Sequence, residues 1–238
     1  MSAETIKLLK KEEVANDTMA FHWEMPDGFE FRAGQFGEFT LINPSETDED
    51  GNTRPFSFVY APSENELVTA TRIRDSAYKR VLKDMTEGTE VKFDGPHGNF
   101  TLHKTESTPA VFLIGGIGIT PIRSMIAEAT KNKTSHEMTL LYSNHTPDDA
   151  PFMSDLEKFE KQNSNFEFVP VMTQTDSDEW NGENGHIDEE MLKRYVSDVS
   201  KPIYYLAGPP DMVKAMYKLL VDAGANEDNI RAEEFSGY

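Results

Sequence analysis

"AVFLIGGIGITP", residues 110–121, is an apolar run that ends in clustered glycines, a threonine and a proline. A strand that is hydrophobic at every position has no solvent face, as in parallel sheets covered on both sides by helices. Gly115, Gly116 and Gly118 remove side chains where the chain must turn, and Pro121 suits a first helical turn that needs no N–H. The stretch predicts strand, tight turn and helix. The rhythm continues downstream: helix at "TPIRSMIAEATKN", strand at "HEMTLLYSN", helix at "PFMSDLEKFEKQ", strand at "FEFVPVMTQ", helix at "DEEMLKRYVS", strand at "PIYYLAG", helix at "PDMVKAMYKLLVDAG" and strand at "NIRAEEF". Such alternation predicts a doubly wound α/β domain with a parallel sheet of about five strands.

Upstream the rhythm differs. Short alternating segments, "TIKLLKKEEV", "DTMAFHWEM", "FGEFTLI", "RPFSFVYA", "ELVTATRI", "TEVKF" and "NFTL", are separated by turn residues, with one short helix near "SAYKRVLKDM". That pattern predicts an antiparallel β-barrel. The polar stretch at 103–108 marks the boundary, giving a barrel domain over 1–104 and an α/β domain over 105–238. The acidic stretch 44–53 reads as a mobile loop.

Composition narrows the function classes. The chain has 238 residues, 37% of them hydrophobic, with 15 Phe, so it is built to fold around real cores. Its net charge is −19, which argues against nucleic-acid binding. With no cysteine there are no disulfides and no thiolate-held zinc or iron–sulfur cluster. The six histidines lack metal-ligand spacing, and no metal site is expected. Neither a membrane span nor a signal peptide is evident, and the expected location is cytoplasmic.

The glycine-rich turn after the first α/β strand is where a dinucleotide's phosphates approach backbone N–H groups, with Thr120 offering a hydroxyl. "LAGPPDM", 206–212, ends a later strand in the same way, and two such turns at the carboxyl edge of a parallel sheet can grip one dinucleotide. The alternative for both turns is a rigid helix start. In "RPFSFVYAP", 54–62, alternation places Phe56, Phe58 and Tyr60 on one face, with Ser57 and Val59 on the other. Arg54 and Ser57 are not demanded by a strand.

Arg54-x-x-Ser57, "GPHGNF", "GGIGITP", "GPPDM" and the terminal "EEF" occur in the order seen in the ferredoxin–NADP reductase-like flavoproteins. The chain resembles that family over nearly its whole length. The resemblance implies an FAD-binding barrel followed by a nicotinamide-dinucleotide domain. It assigns Arg54 to the flavin phosphates, Phe56 to stacking on the flavin in place of the usual tyrosine, and Ser57 to the vicinity of flavin N5. "TRIRDSAYK", 71–79, becomes the second flavin segment, with Arg72 in the basic cluster and the N–H groups at Ser76 and Ala77 facing a pyrophosphate. Gly115, Gly116, Gly118, Thr120, Ser143, Gly208, Pro209, Asp211 and Met212 would hold the dinucleotide. Glu233 and Phe235 match the family's Glu-x-aromatic tail; whether Phe235 or Tyr238 covers the flavin is open. Ala207 stands where the family has cysteine.

The implied activity is hydride transfer from NAD(P)H to non-covalent FAD, then electron delivery to a separate acceptor, ferredoxin being one candidate. Ser57, Glu233 and Phe235 are the expected catalytic-centre residues. A reductase using free flavin as substrate, and a flavin-binding electron-transfer or regulatory subunit, are the alternatives. FAD and FMN are not separable from sequence. "YSNHTPDD" (142–149) and "TQTDSDEWNGENGHIDEE" (173–190) carry carboxylates and no Arg or Lys where an adenosine 2′-phosphate would lie, so NADH is expected over NADPH.

Overall fold

A computed structural model describes residues 3–175 and 180–235. These fall into two compact units, 3–101 with 120–128, and 102–119 with 129–235.

The first unit is a curled antiparallel sheet. Its strands are β1 (Glu4–Ala15), β2 (Thr18–Trp23), β3 (Phe36–Leu41), β4 (Thr53–Ser57), β5 (Leu67–Arg72) and, after helix α1 (Ala77–Asp84), β6 (Glu90–His97), ordered β4-β3-β6-β1-β2-β5. A bridge between Phe58 and Thr69 links the ends of that order, curling the sheet into a barrel. The interior is aromatic. Phe93, 3% exposed, packs 5.1 Å from Phe39 and 5.2 Å from Phe29, ring centre to ring centre. Trp23 is sealed, and its indole N–H donates to Thr69 Oγ1 at 2.9 Å, which satisfies the one polar group that this large ring brings inside.

The expected strand at "NFTL" does not form. Gly98, at φ +85°, turns the chain after β6, the Thr101 N–H closes back on Asn99 O, and Phe100 is buried as a plug rather than as one step of an alternating strand. "RPFSFVYA" is a strand only to Ser57. Nor is the acidic loop loose: Arg80 donates to both Glu46 carboxylate oxygens, at 2.9 and 2.6 Å, fastening it to α1.

The second unit holds β7 (Ala110–Gly115), the two ends of helix α2 (Ile119–Asn132), β8 (Met138–Asn144), α3 (Met153–Gln162), β9 (Phe166–Met172), β10 (Glu183–Asn184), α4 (Glu189–Tyr195), β11 (Ile203–Gly208), α5 (Pro210–Asp222) and β12 (Ile230–Glu234). All pairs are parallel, in the order β10-β9-β8-β7-β11-β12. The order reverses at β7, so the crevice for a ligand lies outside the carboxyl ends of β7 and its neighbours. Every residue of β7 is buried, as the continuous apolar run predicts. Residues 120–128 of α2 pack within the first unit. There Arg123, 3% exposed, lies over the Tyr60 ring and pairs with Glu64, and the Ser124 hydroxyl donates to Tyr60 O.

Truncating the centre of the barrel core tests this packing. Phe93→Ala should lose about 3–5 kcal/mol of first-unit stability, because the cavity cannot be refilled by neighbouring rigid rings. Urea unfolding followed by Trp23 fluorescence measures it, and a loss below about 1 kcal/mol would contradict the packing described.

Candidate functional site

In the second unit the two glycine turns meet. A Cβ on Gly118 would lie 2.5 Å from the Ala207 carbonyl and 2.7 Å from Gly208 N, while one on Gly208 would come within 3.1 Å of the Gly115 backbone. Gly115 in turn faces Met212 and Pro209. The turns after β7 and β11 therefore touch backbone to backbone, which only glycine permits. Gly116 takes φ +49°, and its carbonyl accepts the Tyr142 hydroxyl at 3.0 Å, bracing the turn from β8. Pro209 and Pro210 open α5, which starts without a side-chain cap; Asp211 is exposed and Met212 half-buried in its first turn. Thr120 is buried in the first turn of α2.

Strand β12 runs beside β11 with Glu233 opposite Ala207, and the Phe235 N–H donates to Gly208 O at 3.0 Å. The expected tail residues Glu233 and Phe235 are thus brought to the second glycine turn. Burial alone pushes the Glu233 carboxyl up to about 7, and its sealed Oε2 has no hydrogen-bond partner among the described residues. Such an atom asks for a proton or a donor. Tyr238 lies outside the described residues.

At β8, Ser143 is half-buried, opposite Gly115 on one side and Val171 on the other. Asn144 is buried, and among the described residues neither polar atom of its side-chain amide has a partner. Of the carboxylates expected to repel a 2′-phosphate, Asp148 is exposed, Asp149 accepts from Thr146, and Glu183 is held by Arg194 and Tyr195. Asp176, Asp178 and Glu179 lie outside the described residues. Arg194, from beyond the quoted segment, neutralises Glu183, so that repulsion rests on fewer charges than the sequence suggests.

In the first unit, Ser76 caps α1 by accepting the Lys79 N–H, and Ala77 is the helix's first residue. Lys79 is pressed down to about 8, first by burial, then by the positive charges of Arg74, Arg54 and Arg72. These cations and a helix N-terminus form a cradle suited to an anion. Arg54 also donates to the carbonyls of Asp50, Gly51 and Thr53 at 2.8–3.0 Å, and lies over the Tyr78 ring. Asp48, which sequence reasoning missed, spans the cradle: its Oδ2 accepts the Ala77 N–H at 3.0 Å, and its Oδ1 lies 3.5 Å from Arg54 Nη2. Phe56 is 9% exposed and packs with Phe39 and Tyr78 in the barrel core; Ser57, 7% exposed, pairs with Phe36 across β3.

The barrel with its cationic helix end and the parallel sheet with its paired glycine turns have the fold of the ferredoxin–NADP reductase-like FAD/NAD-binding flavoproteins, a class of oxidoreductases. Residues 112–218 match the oxidoreductase NAD-binding domain. The chain is 30% identical over 158 residues to a component of the Na(+)-translocating NADH-quinone reductase of Pseudoalteromonas atlantica, covering 64% of this chain and 38% of that one. It therefore spans about two-fifths of that relative's length. The flavohem-like FAD/NAD-binding domain of the Vibrio cholerae nitric oxide dioxygenase superposes with a TM-score of 0.86 at 19% identity, over 99% of both chains. A ferredoxin NADP+ reductase from Neisseria gonorrhoeae, with bound FAD and NADP, gives 0.81 at 22% identity, over 98% of this chain and 99% of that one.

Glu233 sets a pH dependence. Its carboxyl titrates near 4.5 when unfolded and about 7 when folded, so the folded state holds the proton longer. Stability from this group is full below pH 4.5 and falls as pH rises through 7. Glu233→Gln should melt with a flatter profile over that window. Thermal melts of both proteins from about pH 4.5 to about 8 check this, and parallel profiles would mean Glu233 is ionised throughout.

Proposed function

We propose that this chain is an FAD-dependent NAD(P)H reductase that prefers NADH and delivers electrons to a separate acceptor. The observation that carries the reading is the cation cluster of Arg54, Arg72, Arg74 and Lys79 at the N-terminus of α1, joined on one chain to an NAD-binding domain. The cradle's chemistry fits a flavin's phosphates: Arg54 offers a planar fork, and Ser76 and Ala77 present the helix end. The glycine turns at 115–118 and 208 fit a dinucleotide, with Gly208, Pro209, Asp211 and Met212 at the start of α5 and Ser143 on β8.

Bound FAD would supply the acceptor for a hydride from the nicotinamide and the means to pass electrons on. The chain's own residues bind, orient and exclude water. Glu233, protonated near neutrality, can donate a hydrogen bond to a polar ligand group, while Ser57 offers a hydroxyl from β4 and Phe235 an aromatic face. Ferredoxin is one acceptor consistent with this reading, and a cytoplasmic setting suits a chain without cysteines. Among the described residues, no helix is long and apolar enough to cross a membrane.

The visible spectrum of the purified chain, followed by NADH titration, tests the reading. Yellow FAD retained through purification and bleached by NADH is expected; a colourless protein that only turns over added flavin would favour the free-flavin reductase. Arg54→Ala should weaken FAD binding roughly ten- to hundredfold, through loss of a charge-assisted contact of about 1.5–3 kcal/mol. Unchanged FAD affinity would remove Arg54 from the phosphate site. With ferricyanide as acceptor, kcat/KM should favour NADH over NADPH by about tenfold, equivalent to one missing charged contact of about 1.4 kcal/mol. Parity would show that Ser143, Asn144 and His145 accommodate a 2′-phosphate.

A further inference from the structure

We propose that Asp48 is an internal competitor for the flavin phosphates: its carboxylate holds the helix end and the arginine that those phosphates require, and binding must displace it. The inference rests on the flavin reading of the first unit.

Asp48 engages two groups that the family resemblance assigns to phosphate. The Ala77 N–H, at the start of α1, donates to Oδ2 at 3.0 Å, and Arg54 Nη2 stands 3.5 Å from Oδ1. The contact is held from both sides. Before it, Glu46 is clasped by Arg80, which also pairs with Asp75. After it, the Asp50 N–H donates to Asp48 Oδ1 at 3.2 Å, and the carbonyls of Asp50, Gly51 and Thr53 receive Arg54. The loop thereby delivers one carboxylate to the cradle, much as a tethered ligand would.

Carboxylate and phosphate oxygens are both anionic acceptors and seek the same donors. One N–H and one guanidinium edge cannot serve both fully, and two anions at one helix end repel. A tethered carboxylate competes at a high effective concentration without adding any contact to the free ligand. Affinity for a phosphorylated flavin is therefore set partly by the equilibrium of Asp48 between the cradle and solvent. A flavin without phosphate has no claim on these donors. Asp48 then acts selectively, lowering the affinity of FAD and leaving that of riboflavin alone.

The test is equilibrium binding, read by quenching of flavin fluorescence, on the full chain freed of flavin. Asp48→Asn removes the charge but keeps an acceptor for the Ala77 N–H; Asp48→Ser is too short to span the cradle and serves as a second variant. Both should bind FAD about tenfold more tightly than wild type, the serine variant at least as much as the asparagine. Neither should change riboflavin affinity. Glu49→Gln removes a neighbouring exposed charge and should change FAD affinity by less than about twofold, separating occupancy of the cradle from the general field of the loop. Equal or weaker FAD binding in both Asp48 variants would overturn the proposal and make Asp48 a support for Arg54. Equal tightening of riboflavin would overturn it as well, since the effect would not run through phosphate. Saturable riboflavin and FAD binding of equal strength in wild type and in Arg54→Ala would instead overturn the phosphate reading on which the proposal stands.

Discussion

The second unit depends on one close approach, the backbone of the turn after β7 lying against the backbone of the turn after β11. Gly118 meets Ala207 and Gly208, and Gly208 meets Gly115, at separations that leave no room for a Cβ. This contact sits where the strand order reverses, so it brings together the two helix starts that flank the crevice. It also explains why Ala207 is small and fully buried. The glycines thus have a packing reason that is complete without any ligand. Gly115, Gly118 and Gly208 are buried in this contact, and Gly116 is half-buried beside them.

Electrostatics in the first unit follows a different constraint. A chain of net charge −19 gathers Arg54, Arg72, Arg74 and Lys79 at one helix end, close enough that burial and mutual repulsion lower the Lys79 ammonium to about 8. Like charges are held together only when the fold needs them there or an anion answers them. Asp48 supplies part of that answer to Arg54 from the chain itself, while Glu46 and Asp75 pair with the neighbouring Arg80. Loop and cluster are therefore one electrostatic unit, and the loop's acidity belongs to the chemistry of the cradle.

How much of this could be read from the sequence follows from how local each cause is. The buried parallel strand at 110–115 and the turn glycines were legible because a continuous apolar run and a steric requirement are written in adjacent residues. So was the N-terminus of α1, where Ser76 provides a local cap. Asp48 was not, since its partner Ala77 lies far along the chain and only closure of the loop brings them together. The "NFTL" stretch misled because Phe100 and Leu102 have strand spacing, while the deciding feature was the left-handed turn at Gly98. Arg194 was missed for the same reason as Asp48: its partner Glu183 is presented by β10, and the helix carrying the arginine packs back beside it. Position 56 was legible as aromatic, yet period-two alternation cannot say that its ring faces Phe39 and Tyr78.

The same charge pairing sets how basic this surface is. Residues 72–83 carry Arg72, Arg74, Lys79, Arg80 and Lys83. In the fold, Arg80 is shared between Glu46 and Asp75, Arg54 is held by carbonyls of its own loop, and Lys79 is half-buried. Arg74, Arg80 and Lys83 stay exposed, Arg80 already ion-paired, on a strongly acidic chain. Surface charges separated by more than about 8–10 Å are largely screened at physiological salt, so a few exposed cations exert only a weak long-range pull. The long-range field of a chain of net charge −19 opposes the approach of a strongly acidic surface. Much of the cationic stretch is paired within the chain, and the balance of the whole is negative.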